Sequence, residues 1–172
     1  MALLIVLIAA FACSLVILKI IEHEWKFPLA GRIAMSVMLL LTGIGHFIYP
    51  SGMALMLPDF IPFKMEVIYF TGLIEIAAAI GLLIPRIQKL TAWLLIIFLI
   101  SIFPTNIYAA IHHVNLQTAT YDGSGLSYLW FRVPLQILFI GWVYYFGVRK
   151  VNPSSPTTHT RKLKEIVKQL PV

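Results

Sequence analysis

The chain has 172 residues, 60% of them hydrophobic and only 12% charged, with a mean hydropathy of +0.90 and a formal net charge of +6. Its apolar runs are of membrane length, which excludes an ordinary soluble domain and leaves room for one bundle of about five crossings. The basic excess sits in short loops and a tail with no basic patch interleaved with aromatics, so anionic lipid headgroups rather than nucleic acid are the expected partner.

Cys13 is the single cysteine, which excludes intramolecular disulfides and cysteine metal clusters. It lies in Met1–Ile21, a continuous apolar run that meets its first charge at Lys19. No basic segment precedes the run and no small-x-small site follows it, so it predicts an uncleaved first transmembrane helix with its N-terminus outside. Residues 22–31, with Trp25 beside Lys26, read as an interfacial connector. Arg32 opens a second crossing, Ile33–Tyr49, in which Gly43 and Gly45 permit close helix approach. Thr42, His46 and Tyr49 follow at spacings of four and three and share its polar face. Pro50–Phe63 is too short and proline-rich to span, yet too hydrophobic for an ordinary loop. It predicts an interfacial segment, either a connector buried against lipid or a lid over the bundle end, with Met53 and Met56 giving it an adaptable surface.

Lys64–Pro85 is the third predicted crossing and carries Glu75 at its middle. A carboxylate at that depth is costly unless it faces protein, water or a partner, which makes it a site hypothesis by default. After the basic turn Arg86–Lys89, Leu90–Ile111 forms the fourth crossing, and Pro104 predicts a kink just before Asn106. The stretch His112–Tyr128 reads as a loop with a turn at Asp122-Gly-Ser-Gly125. Leu129–Val148 is the fifth crossing, in which Arg132 and Gln136 lie four apart on one face. Residues 149–172 form a basic tail, and 161–170 has the pattern of a short amphipathic surface helix.

Charge sets the expected orientation. With residues 22–31, the Arg86–Lys89 turn and the tail in the cytoplasm, that side holds 11 basic residues: Lys19, Lys26, Arg32, Arg86, Lys89, Arg149, Lys150, Arg161, Lys162, Lys164 and Lys168. The other side holds 2, Lys64 and Arg132, a strong positive-inside bias. The same topology puts His46, Tyr49, Asn106, Arg132 and Gln136 in the outer half of the membrane, with Glu75 about halfway down. A polar, outward-facing pocket among four helices is the expectation.

Glu75 and His46 each have two readings. Glu75 is either a structural carboxylate paired with Arg132 or His46, or a proton-carrying group beside a ligand. His46 either packs, donating to Glu75 or Asn106, or bonds a carbonyl-bearing ligand and shuttles its proton. Asn106 and Gln136 read as internal hydrogen-bonders and Tyr49 as an interface anchor. The candidate ligand-binding or proton-handling set is therefore His46, Tyr49, Glu75, Asn106, Arg132 and Gln136. The chain lacks G-x-S-x-G, H-E-x-x-H, C-x-x-C and a phosphate-binding glycine loop, so no residue is assigned as catalytic or metal-ligating. No haem and no iron–sulfur cluster is expected.

Gly43-Ile-Gly-His46-Phe47, Leu57-Pro-Asp-Phe-Ile-Pro62, Gly72-Leu-Ile-Glu75, Gly81-Leu-Leu-Ile-Pro85, Phe103-Pro-Thr-Asn106-Ile107 and Arg132-Val-Pro-Leu-Gln136, taken together, resemble the DoxX-like family of small membrane proteins. The resemblance runs from about Arg32 to Phe146. It implies an all-α polytopic bundle: a four-helix transmembrane core over 32–148, an added N-terminal helix and connector over 1–31, and a cytoplasmic tail over 149–172. It carries site roles onto His46, Glu75, Asn106, Arg132 and Gln136. The family's namesake resembles the quinone-linked membrane subunit of a thiosulfate-oxidising enzyme; other members are associated with oxidative-stress complexes, and wider relatives assist membrane-protein assembly. The expectation that follows is a multi-pass protein of the cell inner membrane that binds a quinone or other small hydrophobic ligand. It would serve redox or respiratory metabolism beside a redox enzyme subunit or as a homo-oligomer. The alternatives are a non-catalytic assembly or scaffolding protein and a small-molecule permeation protein; five crossings offer no paired inverted repeat for a secondary transporter.

Overall fold

Helix follows hydrophobic run through most of this chain. A computed structural model describes residues 2–149 and contains α1 (Ala2–Glu22), α2 (Phe27–Ile48), α3 (Pro50–Ala54), α4 (Lys64–Gly81), α5 (Gln88–Ser101), α6 (Phe103–Ile111) and α7 (Ser127–Val143). A π-helical turn, Tyr144–Val148, extends α7. Among the described residues the only β pairing is an isolated bridge between Asn115 and Thr120. The expected surface helix at 161–170 lies outside the described residues.

Ala2–Glu22, Phe27–Ile48, Gln88–Ile111 and Ser127–Val148 are each long and apolar enough to cross a bilayer. In α1 only Leu7 and Ser14 are buried, while Ile5, Val16 and Ile20 are more than half exposed. Such a surface is stable in lipid and not in water. The helix α4 differs in composition, since Lys64, Glu66 and Glu75 fall within its 18 residues. Even so, it runs antiparallel along α2. Phe47 stacks on Tyr69 with ring centroids 5.6 Å apart, Gly43 faces Gly72, and Ser36 Oγ donates to the Ala79 carbonyl at 2.8 Å. It therefore traverses the depth that α2 traverses, over about 27 Å. The protein is a polytopic, all-α membrane bundle.

Element boundaries depart from the sequence reading at proline and glycine. The second crossing begins at Phe27 rather than Ile33, because Pro28 falls in the first helical turn, where its missing N–H costs nothing. The connector shrinks to residues 23–26, turned by His23 at φ 56°. The third crossing stops at Gly81, and residues 82–87 turn into α5. The fourth is broken between α5 and α6 at Ile102, two residues before Pro104, where a kink was expected.

Two ends follow from this order. The basic end carries residues 23–26, residues 82–87 and Arg149, and is tied by polar contacts. Arg32 donates to Gln88, Gln88 Nε2 donates to the Gly147 carbonyl at 2.9 Å, and Trp142 Nε1 donates to the Gly31 carbonyl at 2.9 Å. The opposite end is covered by residues 49–63 and 112–126. Between them lies the apolar core, with Leu7, Met35, Leu39, Leu82 and Leu95 almost wholly buried.

Candidate functional site

Three helices lose regularity or crowd together near the lid end, and that is where the polar residues collect. Gly43 and Gly72 let α2 and α4 touch backbone to backbone: a Cβ on either would lie 3.1 Å from the other's carbonyl oxygen. That contact carries His46 and Glu75 on adjoining faces. The break at Ile102 leaves carbonyls unpaired, and side chains answer them. Thr105 Oγ1 donates to the Ile102 carbonyl at 2.7 Å and Asn106 Nδ2 to the same oxygen at 3.2 Å. From α7, Arg132 Nε donates to Asn106 Oδ1 at 3.0 Å, and Gln136 Nε2 donates to the Leu99 carbonyl at 2.6 Å.

These elements enclose a cavity of about 520 Å³. Thr42, His46 and Tyr49 of α2, Thr71 and Glu75 of α4, Thr105 and Asn106 of α6, and Arg132 of α7 border it, among walls such as Leu41, Ile68, Phe98 and Ile102. Both the volume and the mix of apolar walls with few polar groups are typical of a small-molecule site.

The polar groups are arranged unevenly. Glu75 is buried, and its Oε2 has no hydrogen-bond partner among the described residues. His46 Nδ1 lies 3.9 Å from that oxygen but bonds the Thr42 carbonyl at 2.9 Å. A carbonyl can only accept, so Nδ1 carries the proton and a neutral His46 keeps Nε2 as a bare acceptor. Of the two partners considered for a structural Glu75, Arg132 makes no ion pair with it among the described residues and holds Asn106 instead, whereas His46 stands at 3.9 Å. The arrangement leaves one carboxyl oxygen and a guanidinium's terminal donors bordering a mainly apolar space.

Of the residues singled out from sequence, His46, Tyr49, Glu75, Asn106 and Arg132 come together here. Gln136 does not line the cavity: it is buried behind it, spent on Leu99, and its Oε1 has no partner among the described residues. Tyr49 stands at the margin, 39% exposed. Sequence reasoning passed over Thr71, although it lies four residues before Glu75 on the same helical face. It also missed Leu116, Gln117 and Tyr128, which no local pattern marks.

Residues 50–63 act as a lid. Met53, Met56 and Leu57 line the cavity, and Gly52 is so close to the facing loop that a Cβ there would fall 1.9 Å from the Leu116 carbonyl oxygen. The lid is pinned where it joins α4: Lys64 Nζ bonds Asp59 Oδ1 at 2.8 Å, and that hydrogen bond together with the lysine's charge holds the Asp59 carboxyl below its ordinary range.

A family model described as Domain of unknown function (DUF8561) matches residues 35–147, from the middle of α2 to the π-helical turn. The chain belongs to the DUF8561 family. The matched segment contains the cavity's polar residues, whereas α1 lies outside it. No curated protein and no solved structure matches the chain.

Proposed function

We propose that this DUF8561 protein is a DoxX-like membrane subunit whose cavity takes a quinone or another small hydrophobic ligand in redox or respiratory metabolism. The observation that carries the reading is Glu75 Oε2, buried without a partner at the edge of a cavity of about 520 Å³. An orphaned carboxyl oxygen is expensive in so apolar a setting, and a ligand that bonds it offsets the cost. Within the protein, His46 Nδ1 comes no nearer than 3.9 Å and is spent on the Thr42 carbonyl, which leaves that oxygen open to a ligand.

The donor set suits a quinone. Arg132 has terminal N–H groups for a carbonyl oxygen, His46 has a bare Nε2, and Leu41, Ile68, Phe98 and Ile102 suit a ring and its substituents. A bound quinone would supply two-electron redox chemistry. The chain's own part is to exclude water beneath the lid, to orient the ring through Arg132, and to hold or accept a proton at Glu75 and His46.

The positive-inside rule supports a place in the cell inner membrane with the lid end outside. Lys19, Lys26, Arg32, Arg86, Lys89 and Arg149 share the basic end, against Lys64 and Arg132 toward the other. Organic extraction of the washed protein followed by mass spectrometry tests the ligand reading. Wild type yields a stoichiometric hydrophobic small molecule, and Thr71→Phe, which fills the cavity, yields none. Equal yields from a folded Thr71→Phe, or none from wild type, would favour a scaffolding protein with a purely structural polar cluster.

A further inference from the structure

The polar groups do not surround the cavity evenly. One flank, built by α2, α4, α6 and α7, carries Thr42, His46, Glu75, Asn106 and Arg132. The other is apolar: Ala2 and Leu3 from the first turn of α1, Leu41 from α2, Phe98 from α5 and Ile102 at the break. Leu41 is 49% exposed although it lies well inside α2, and Ala2 is exposed too. This flank therefore opens on the side of the bundle, where the bilayer is. α1 is fixed farther along its length: Leu7 is wholly buried, and Phe11 meets Trp142 edge-on at 5.1 Å. The water end is covered by the lid, with Gly52 against Leu116.

We propose that the gap between the first turn of α1 and α5, floored by Leu41, is a lateral portal to the bilayer. Through it the site takes a single-chain amphiphile whose neutral head bears a hydroxyl and a second acceptor oxygen. This deepens the ligand reading and rests on it. The head is set by the orphaned groups. A hydroxyl both donates and accepts, so it satisfies Glu75 Oε2 whichever state that carboxyl is in, while Arg132 can only donate and requires an acceptor oxygen. An anionic head would lie beside Glu75 and a cationic one beside Arg132, so a neutral head meets both at least cost. The tail is set by the apolar flank, whose side chains are all hydrocarbon and which leads from the head into lipid.

Two sources share this chemistry, a glycerol monoester and a tailed quinol, and the probes separate them. The full chain in detergent is titrated in native mass spectrometry with monoolein and its short counterpart monobutyrin, and with decylhydroquinone and hydroquinone. Wild type, Leu41→Trp and Leu3→Trp are compared, with unfolding midpoints for each. For one pair, the long-tailed probe binds wild type at least tenfold more tightly than the short one, and this advantage falls at least tenfold in the tryptophan variants. The pair that shows it identifies the source as lipid or quinol. If Leu41→Trp fails to fold, Leu3→Trp at the α1 lip decides. An undiminished tail advantage in folded variants overturns the portal and leaves the ligand reading standing. Failure of every probe to bind wild type overturns the proposed head chemistry. If, in addition, no small molecule copurifies, the ligand reading falls with it.

Discussion

Gln136 and Asn106 are neighbours in depth but serve different ends, and the difference is decided by which carbonyl each meets. Gln136 gives its amide N–H to Leu99 at the break in the fourth crossing and has nothing left for the cavity. Replacing it by Leu removes that bond and also an unpartnered Oε1, so the net loss is small, about 1 kcal/mol, as for interhelical hydrogen bonds in membranes generally. Gln136→Ala adds a void to the same loss and costs more, about 2–3 kcal/mol. Unfolding midpoints in a mild detergent with added denaturant check the order, and equal midpoints for both variants would contradict it. Asn106 instead bridges the Ile102 carbonyl and Arg132 Nε, which holds the guanidinium at the cavity. His46, Glu75, Asn106 and Arg132 were legible in the sequence because polar groups at membrane depth need a reason. The exclusion of Gln136 was not, since the i, i+4 spacing from Arg132 does not reveal which carbonyl a break in another helix will expose.

At the scale of elements, the contact between α2 and α4 organises the site. A Cβ at Gly72 would lie 2.7 Å from His46 Cβ, a distance side chains do not tolerate. Gly72→Ala therefore forces the two helices apart, costing about 1–3 kcal/mol and moving His46 away from Glu75. The expected readout is a lower unfolding midpoint together with lost ligand retention; an unchanged midpoint would show that the helices are not in close contact. The lid adds a pH dependence. The folded Asp59 carboxyl titrates lower than in the unfolded chain, so its contribution is fully present above the ordinary carboxylate range and disappears as pH falls through the lowered folded value. The carboxylate is exposed, so the effect is confined to the lid and global stability changes little. Amide exchange, corrected for its intrinsic pH dependence, should quicken in residues 55–63 on acidification, and Asp59→Asn should show that faster exchange already at neutral pH. The existence of these elements could be read from apolar runs and prolines. Their ends could not, because α2 begins at Phe27, with Pro28 in its first turn, where a polar connector was expected, and Gly81 closes α4 early.

For the molecule as a whole, the charge asymmetry and the placement of the cavity make one claim about sidedness. In a Cys13→Ser background, Ser124→Cys in the lid-end loop should react with a membrane-impermeant maleimide in intact cells, and Arg86→Cys at the basic end should react only after permeabilisation. The reverse pattern would invert the orientation and put the cavity in the inner leaflet. The bundle and the grouping of its polar residues were legible in the sequence because bilayer length and desolvation cost leave few alternatives. The wall contributed by Ala2 and Leu3 was not, since nothing in an unbroken apolar run marks the turn that meets a cavity.

Everything proposed for the cavity depends on Glu75 facing a ligand rather than a permanent protein partner. Native mass spectrometry of detergent-solubilised wild type beside Glu75→Gln, with unfolding midpoints measured on the same samples, tests it most directly. Wild type should carry a quinone- or lipid-sized adduct that is lost from a Glu75→Gln protein whose adduct-free midpoint stays within a few degrees of that of adduct-free wild type. A bare wild-type protein, or a Glu75→Gln protein that keeps the adduct while unfolding far more easily, would instead make Glu75 part of the scaffold.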